Sequence, residues 1–90
     1  MKDPELHQRA KAAADGVREA RPGWGATQET AKNYLAAKVH QRDELEAIRS
    51  IGGDHALYSG NVSDGIQAVE RDITNIETEI PTLKPGWPDY

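Results

Sequence analysis

The chain has 90 residues, no cysteine and a formal net charge of −4. This length allows one domain at most, and the lack of cysteine excludes a disulfide framework and a thiolate metal site. An acidic balance disfavours long duplex nucleic acid, whose binding needs many phosphate contacts from Lys and Arg. No uncharged stretch is long enough to predict a membrane span, and the first residues lack the apolar core of a signal peptide. The sequence therefore predicts a soluble protein of the cytoplasm.

The first predicted helix covers about residues 4–20. Asp3 is a favourable N-cap, Pro4 suits the first helical position, and Arg21-Pro22 ends the helix. The apolar face of this helix is rich in alanine, which allows close approach of another backbone. The turn that follows contains Trp24, for which a cap over the helix junction and a base-stacking platform are the two alternatives.

The second predicted helix covers about residues 27–51, with Thr27 as its N-cap. Its apolar residues follow 3–4 spacing, and Gly52-Gly53 ends it. Arg42 falls near this apolar face, where pairing with Glu46 or with an acid of the next helix is expected. A loop of about ten residues follows.

The third predicted helix covers about residues 62–80 and carries the longest apolar pattern in the chain. Its β-branched residues are spaced 4, 3, 4, 3, 4, which is a heptad seam that requires a partner helix. A chain this poor in large apolar residues is expected to find part of that partner in another copy of itself. The seam consists of Val62, Ile66, Val69, Ile73, Ile76 and Ile80.

These elements predict an all-α fold, with a short N-terminal helix and a long antiparallel helical hairpin that assembles as a homo-oligomeric bundle. Residues 1–80 form the single helical domain of this prediction. Residues 81–90 are predicted to be an extended tail rich in proline, with Trp87 and Tyr90 as anchors if it docks.

The sequence contains no pattern that predicts catalysis. The three histidines fall on separate elements and lack the spacing of metal ligands, and no nucleophile elbow is present. We therefore expect neither an enzyme nor a cofactor nor a metal site. If a ligand binds, the N-terminus of the third helix around Ser59–Ser63 is the expected place, because free N–H groups and the helix dipole favour phosphate there. The same residue types also occur at ordinary helix caps.

The charge is uneven along the chain. Residues 1–42 hold eight basic and five acidic residues, whereas residues 43–90 hold three and ten. Two solvated helix faces of opposite sign would explain this. A basic surface for an anionic ligand, or head-to-tail pairing of copies, would explain it too.

Two stretches, His40–Ile48 and Gly65–Ile73, together resemble the helical hairpin of the phage anti-CBASS proteins, a module also found in some anti-Thoeris sponges. Proteins of this family bind cyclic oligonucleotide immune signals and sequester them without cleavage. The resemblance implies a hexamer in the cytoplasm of the host cell, with ligand pockets between subunits. The implied ligand-binding residues are base stackers, phosphate partners and their neighbours in the loop: Trp24, Tyr34, Lys38, Arg42, His55, Tyr58, Ser59, Asn61 and Arg71.

A second hypothesis belongs to another class of function. The third helix carries an acidic face that would suit a basic partner, as in a small inhibitor or adaptor of the anti-CRISPR kind or a virion assembly factor. Its acidic residues are Asp64, Glu70, Asp72, Glu77 and Glu79. A purely structural oligomer is a third hypothesis.

Overall fold

The computed structural model describes residues 3–22, 26–57 and 60–83, and within these ranges the chain is helical with no strand. The helices are α1 (Pro4–Ala20), α2 (Gln28–Gly52) and α3 (Val62–Glu79), and a 3-10 turn (Ile80–Thr82) follows α3. The prediction of an all-α fold is confirmed for the described residues. The predictions for some residues lie outside them: Trp24, Tyr58, Ser59, Trp87 and Tyr90.

The starts of α1 and α2 are fixed by side-chain caps. One carboxylate oxygen of Asp3 accepts hydrogen bonds from the backbone N–H groups of Glu5 at 2.9 Å and Leu6 at 3.3 Å. Thr27 and Thr30 form a reciprocal capping box, in which each side-chain hydroxyl accepts from the other residue's backbone N–H. These bonds satisfy N–H groups that no carbonyl inside the helix can reach.

The start of α3 is held differently. Asn61 occupies the N-cap position, but its side chain makes no capping hydrogen bond. Instead, the Val62 N–H donates to the Asp54 carbonyl at 3.0 Å, and the Ser63 hydroxyl donates to the Asp54 carboxylate at 2.5 Å. The preceding loop therefore positions this helix end.

Both α1 and α3 pack against α2. Three hydrogen bonds join α2 to α3 and to Leu83, the residue after the 3-10 turn: Arg49 to Ser63, Lys38 to Asp72, and Gln28 to the Leu83 carbonyl. Residues late in α2 therefore lie beside residues early in α3, and residues early in α2 lie beside the end of α3. No Cα atom of α1 lies within 8 Å of a Cα atom of α3. Both outer helices are anchored on α2, and the Asp3 N–H before α1 also donates to the Ala56 carbonyl of the loop that leads to α3, at 2.9 Å.

The predicted seam is buried within the single chain. Ile48 of α2 and Val62 of α3 have no exposed surface, and Ile80 is half-buried at the end of the seam. The chain therefore covers most of the apolar stripe from which self-association was predicted, and self-association stays a prediction. The core cluster consists of Leu6, Leu45, Ile48, Ala56, Leu57, Val62, Ile66, Val69 and Ile73, and Ile76 is buried beyond it.

None of the three helices combines the length and the apolar character that crossing a membrane requires.

Candidate binding groove between α1 and α3

A groove runs between α1 and α3 because both helices pack on α2 while their Cα atoms stay more than 8 Å apart. Lys38, Gln41 and Leu45 of α2 contribute to its lining, and the loop residues Leu57 and Gly60 contribute at one end. The groove has a volume of about 680 Å³, which lies within the usual range of ligand pockets. Its remaining lining residues are His7, Ala10, Lys11 and Ala14 of α1, and Asn61, Val62, Asp64, Gly65, Ala68, Val69 and Asp72 at and along α3.

Small side chains form much of the two walls. Ala10 and Ala14 lie one turn apart on α1, and Gly65 and Ala68 lie on α3. A Cβ atom added at Gly65 would lie 3.6 Å from the Leu45 side chain, which is an ordinary contact. Close packing therefore does not require glycine at this position. Glycine inside a helix also lowers stability by about 0.5–1 kcal/mol relative to alanine. The missing side chain leaves extra room in the groove.

The groove contains charges of both signs. The Lys38 ammonium lies 2.8 Å from the Asp72 carboxylate and joins α2 to α3. The Lys38 side chain is only 11% exposed, so this lysine is largely committed to that pair. Lys11 on the α1 wall and Asp64 on the α3 wall form no ion pair within the described residues. The α1 wall is therefore basic and the α3 wall acidic.

The groove also contains a buried polar atom. The side-chain oxygen of Gln41 is buried and accepts no hydrogen bond within the described part of the chain. A buried acceptor of this kind favours a ligand that supplies an N–H or O–H group.

The net charge of the protein is concentrated on one helix. The α3 sequence contains five acidic residues and one arginine, whereas α1 contains three of each sign and α2 four of each sign. The difference of −4 on α3 equals the net charge of the whole chain. Asp64, Glu70, Glu77 and Glu79 are exposed and pair with no cation among the described residues.

An ion pair fixes α1 on α2. The Arg9 guanidinium donates two hydrogen bonds to the Glu44 carboxylate, from Nε at 3.1 Å and from Nη2 at 2.8 Å. These bonds lower the pKa of Glu44 and raise that of Arg9, and the attraction between the two charges acts in the same direction. The pair thereby helps to set the position of the α1 wall.

The sequence-predicted ligand residues are only partly brought together. Lys38 and Asn61 line the groove. The centroid of the Tyr34 ring lies 5.7 Å from the Lys38 ammonium. Tyr34 nevertheless lines a separate cavity of about 200 Å³ with Ile76 and Leu83. Arg42 pairs with Asp43 and Glu46 on its own helix. His55 and Arg71 are exposed and do not line the groove.

The α1 wall was missed by sequence reasoning. His7, Ala10, Lys11 and Ala14 follow helical spacing and could have been recognised as one face. That face is only weakly apolar, so the pattern did not show that it borders a groove. Among the described residues, no three His, Asp or Glu side chains are grouped closely enough to hold a metal ion.

Comparison of the chain with protein-family models, curated proteins and solved structures finds no match.

Proposed function

We propose that this chain is a small protein-binding adaptor or inhibitor that acts through α3 on a basic partner. The observation that carries the proposal is the concentration of the entire excess negative charge on this one helix. An acidic surface attracts a basic partner, increases its rate of association and disfavours acidic competitors. The function requires no catalytic group.

The packing of α3 supports a role in recognition. Its five buried seam residues hold one side of the helix against the protein core, so its exposed residues are presented on a fixed support. Glu70 and Glu77 lie two turns apart on one exposed flank of the helix, where each follows a buried seam residue. Rigid presentation reduces the entropy lost when a partner binds.

The proposal is tested by salt-sensitive co-purification from cells that encode the protein. The variant Glu70→Gln/Glu77→Gln/Glu79→Gln should lose the captured partner, because it removes three unpaired charges while keeping side-chain size. The control Glu5→Gln/Glu19→Gln/Glu29→Gln makes the same change in net charge at exposed residues of α1 and α2. The control should retain the partner.

Equal capture by both variants and the wild type would contradict an acidic α3 interface. Equal loss in both would show that net charge, and not the α3 face, governs binding. Thermal unfolding of each variant verifies that the comparison is made between folded proteins.

A second candidate function is sequestration of a cyclic oligonucleotide by an assembly of helical hairpins, as the sequence resemblance implies. Lys38 and Asn61 share the groove with Lys11, so three side chains able to bind phosphate oxygens line one space. The acidic α3 wall disfavours an anionic ligand, and the Lys38–Asp72 pair already neutralises one of these three side chains.

Native mass spectrometry separates the two candidates. The protein would be measured alone and with cyclic di- and trinucleotides and cyclic ADP-ribose isomers. An oligomer that carries whole-number additions of intact ligand would support sequestration. A protein that stays bare across the panel, or that releases hydrolysed ligand, would rule it out.

A further inference from the structure

We infer that the groove between α1 and α3 receives one amphipathic helix of the partner protein. This helix has large aliphatic side chains on its inner face, together with one polar side chain that can donate to the buried Gln41 oxygen. It has Lys or Arg on the flank that runs along α3. The inference rests on the proposed protein-binding function and names the partner's chemistry and the place where it docks.

The shape of the groove suits a short helix with bulky side chains. Its lining extends from His7 to Ala14 on α1 and from Val62 to Asp72 on α3. These spans cover seven and ten residue steps, or about 10 and 15 Å of helix, which is two to three turns. The alanines and the glycine of the walls leave room into which Leu- or Ile-sized side chains fit.

Charge selects the flanks of the occupant. Asp64 on the α3 wall belongs to a helix with a net charge of −4, so it favours a basic flank. Lys11 on the α1 wall favours a neutral or acidic flank. The two walls therefore determine which flank of the occupant lies along α3, because exchanging the two flanks would place like charges together.

The described part of the chain offers no such helix for a second copy. Ile51 is the only large apolar residue there that is strongly exposed, and a single exposed Ile does not make an apolar helix face. The exposed side of α3 is acidic and would be repelled by the α3 wall of another copy. The observations therefore favour a helix of a different protein.

Gly65 and Ala68 are the residues that determine which side chains fit. Both lie on the α3 wall, where any larger residue would occupy the space of an incoming side chain. Ala68 is exposed, so a larger residue there does not disturb the core. Ala68→Leu therefore fills the groove in a folded protein, and Gln67→Leu adds the same side chain at an exposed residue outside the groove.

The test uses two synthetic peptides of about 18 residues, or five helical turns. Both carry leucines and one glutamine along one helix face. One has lysines on a single flank, and the other has glutamates on both flanks, so that reversing its direction in the groove still places glutamates along α3. Titration into ¹⁵N-labelled protein should shift the amide signals of Ala10, Ala14, Gly65 and Ala68 with the lysine peptide alone. We expect Ala68→Leu to weaken binding by about tenfold or more, equivalent to about 1.4 kcal/mol, and Gln67→Leu to leave it unchanged.

Each other outcome overturns the inference. The lysine peptide could bind but shift the amide signals of Glu70 and Thr74, with an affinity that Ala68→Leu does not change. In that case the acidic face of α3 is the interface and the groove is not. If the lysine peptide does not bind, a basic amphipathic helix is not the occupant of the groove. The amide signals of the groove residues could instead change with protein concentration in the absence of peptide. If Ala68→Leu abolishes that change, a second copy of the chain occupies the groove. The triple Gln variants test the proposed function independently, because they leave the groove-lining Ala and Gly residues intact.

Discussion

Gly52 shows how tightly individual residues are fitted where α2 meets α1 and the following loop. A Cβ atom added there would lie 2.7 Å from a Leu6 methyl group and 2.8 Å from the Ala56 Cβ. The Leu6 side chain can rotate away, but the Ala56 Cβ moves only with its backbone. We expect Gly52→Ala to destabilise the fold by about 1–3 kcal/mol through overpacking, measured as a lower midpoint in urea unfolding.

The control for this substitution is Gly16→Ala on α1. A Cβ atom added at Gly16 would have no atom within 4 Å, so only helix propensity changes, and the variant should gain roughly 0.5–1 kcal/mol. Stabilisation by both substitutions would show that Ala56 and its loop do not press on α2 as described.

The Arg9–Glu44 pair makes stability depend on pH. Its hydrogen bonds lower the pKa of Glu44 in the folded chain below that of the unfolded chain, which is about 4.3 for an unperturbed Glu. The pair therefore contributes fully above that pKa, and its contribution is lost as the pH falls through the lower pKa of the folded state. The free energy of unfolding of the wild type should exceed that of Glu44→Gln at neutral pH, and the difference should shrink on acidification.

Arg9→Gln provides the check on this assignment. Since it removes the partner that lowers the pKa of Glu44, it should reduce the same pH dependence. The effect at neutral pH should be small and sensitive to salt, because both side chains are partly exposed. A difference between wild type and Glu44→Gln that grows on acidification would contradict the pairing.

At the scale of the helices, the N-caps differ in how much they contribute to the stability of the fold. The Thr27 hydroxyl accepts from the Thr30 N–H at 3.2 Å, whereas Asn61 makes no such bond at the start of α3. We expect Thr27→Ala to lower the free energy of unfolding by about 0.5–2 kcal/mol, and Asn61→Ala to lower it by less. Chemical denaturation of both variants tests this order, and an equal or larger loss for Asn61→Ala would show that Asn61 does cap α3.

The sequence predicted the helices better than their arrangement, because helix signals are local. Asp3 and Thr27 identify helix starts from residue type alone, and both side chains form the expected caps. The heptad seam specified that a partner helix was needed, but periodicity does not say whether that helix belongs to the same chain. The groove depends on the separation of α1 from α3, to which Ala10, Ala14, Gly65 and Ala68 give no strong periodic signal.

At the scale of the whole molecule, the burial of the seam decides what a polar substitution should do. Ile73 is 7% exposed and lies in the core cluster of the single chain. A carboxylate placed there would be buried without a partner, which costs several kcal/mol and exceeds what one small domain can spare. We expect Ile73→Asp to lose its helical circular dichroism, and not merely to change its mass in solution.

Light scattering coupled to size-exclusion chromatography, with circular dichroism on the same samples, tests this expectation. Asn75→Asp is the control, because it places the same carboxylate at an exposed residue of α3 and should preserve the fold. If Ile73→Asp instead converts a wild-type oligomer into a fully helical monomer, the seam joins separate chains. In that case the groove would also have to be sought between subunits, because α3 would no longer be held against the α2 of its own chain.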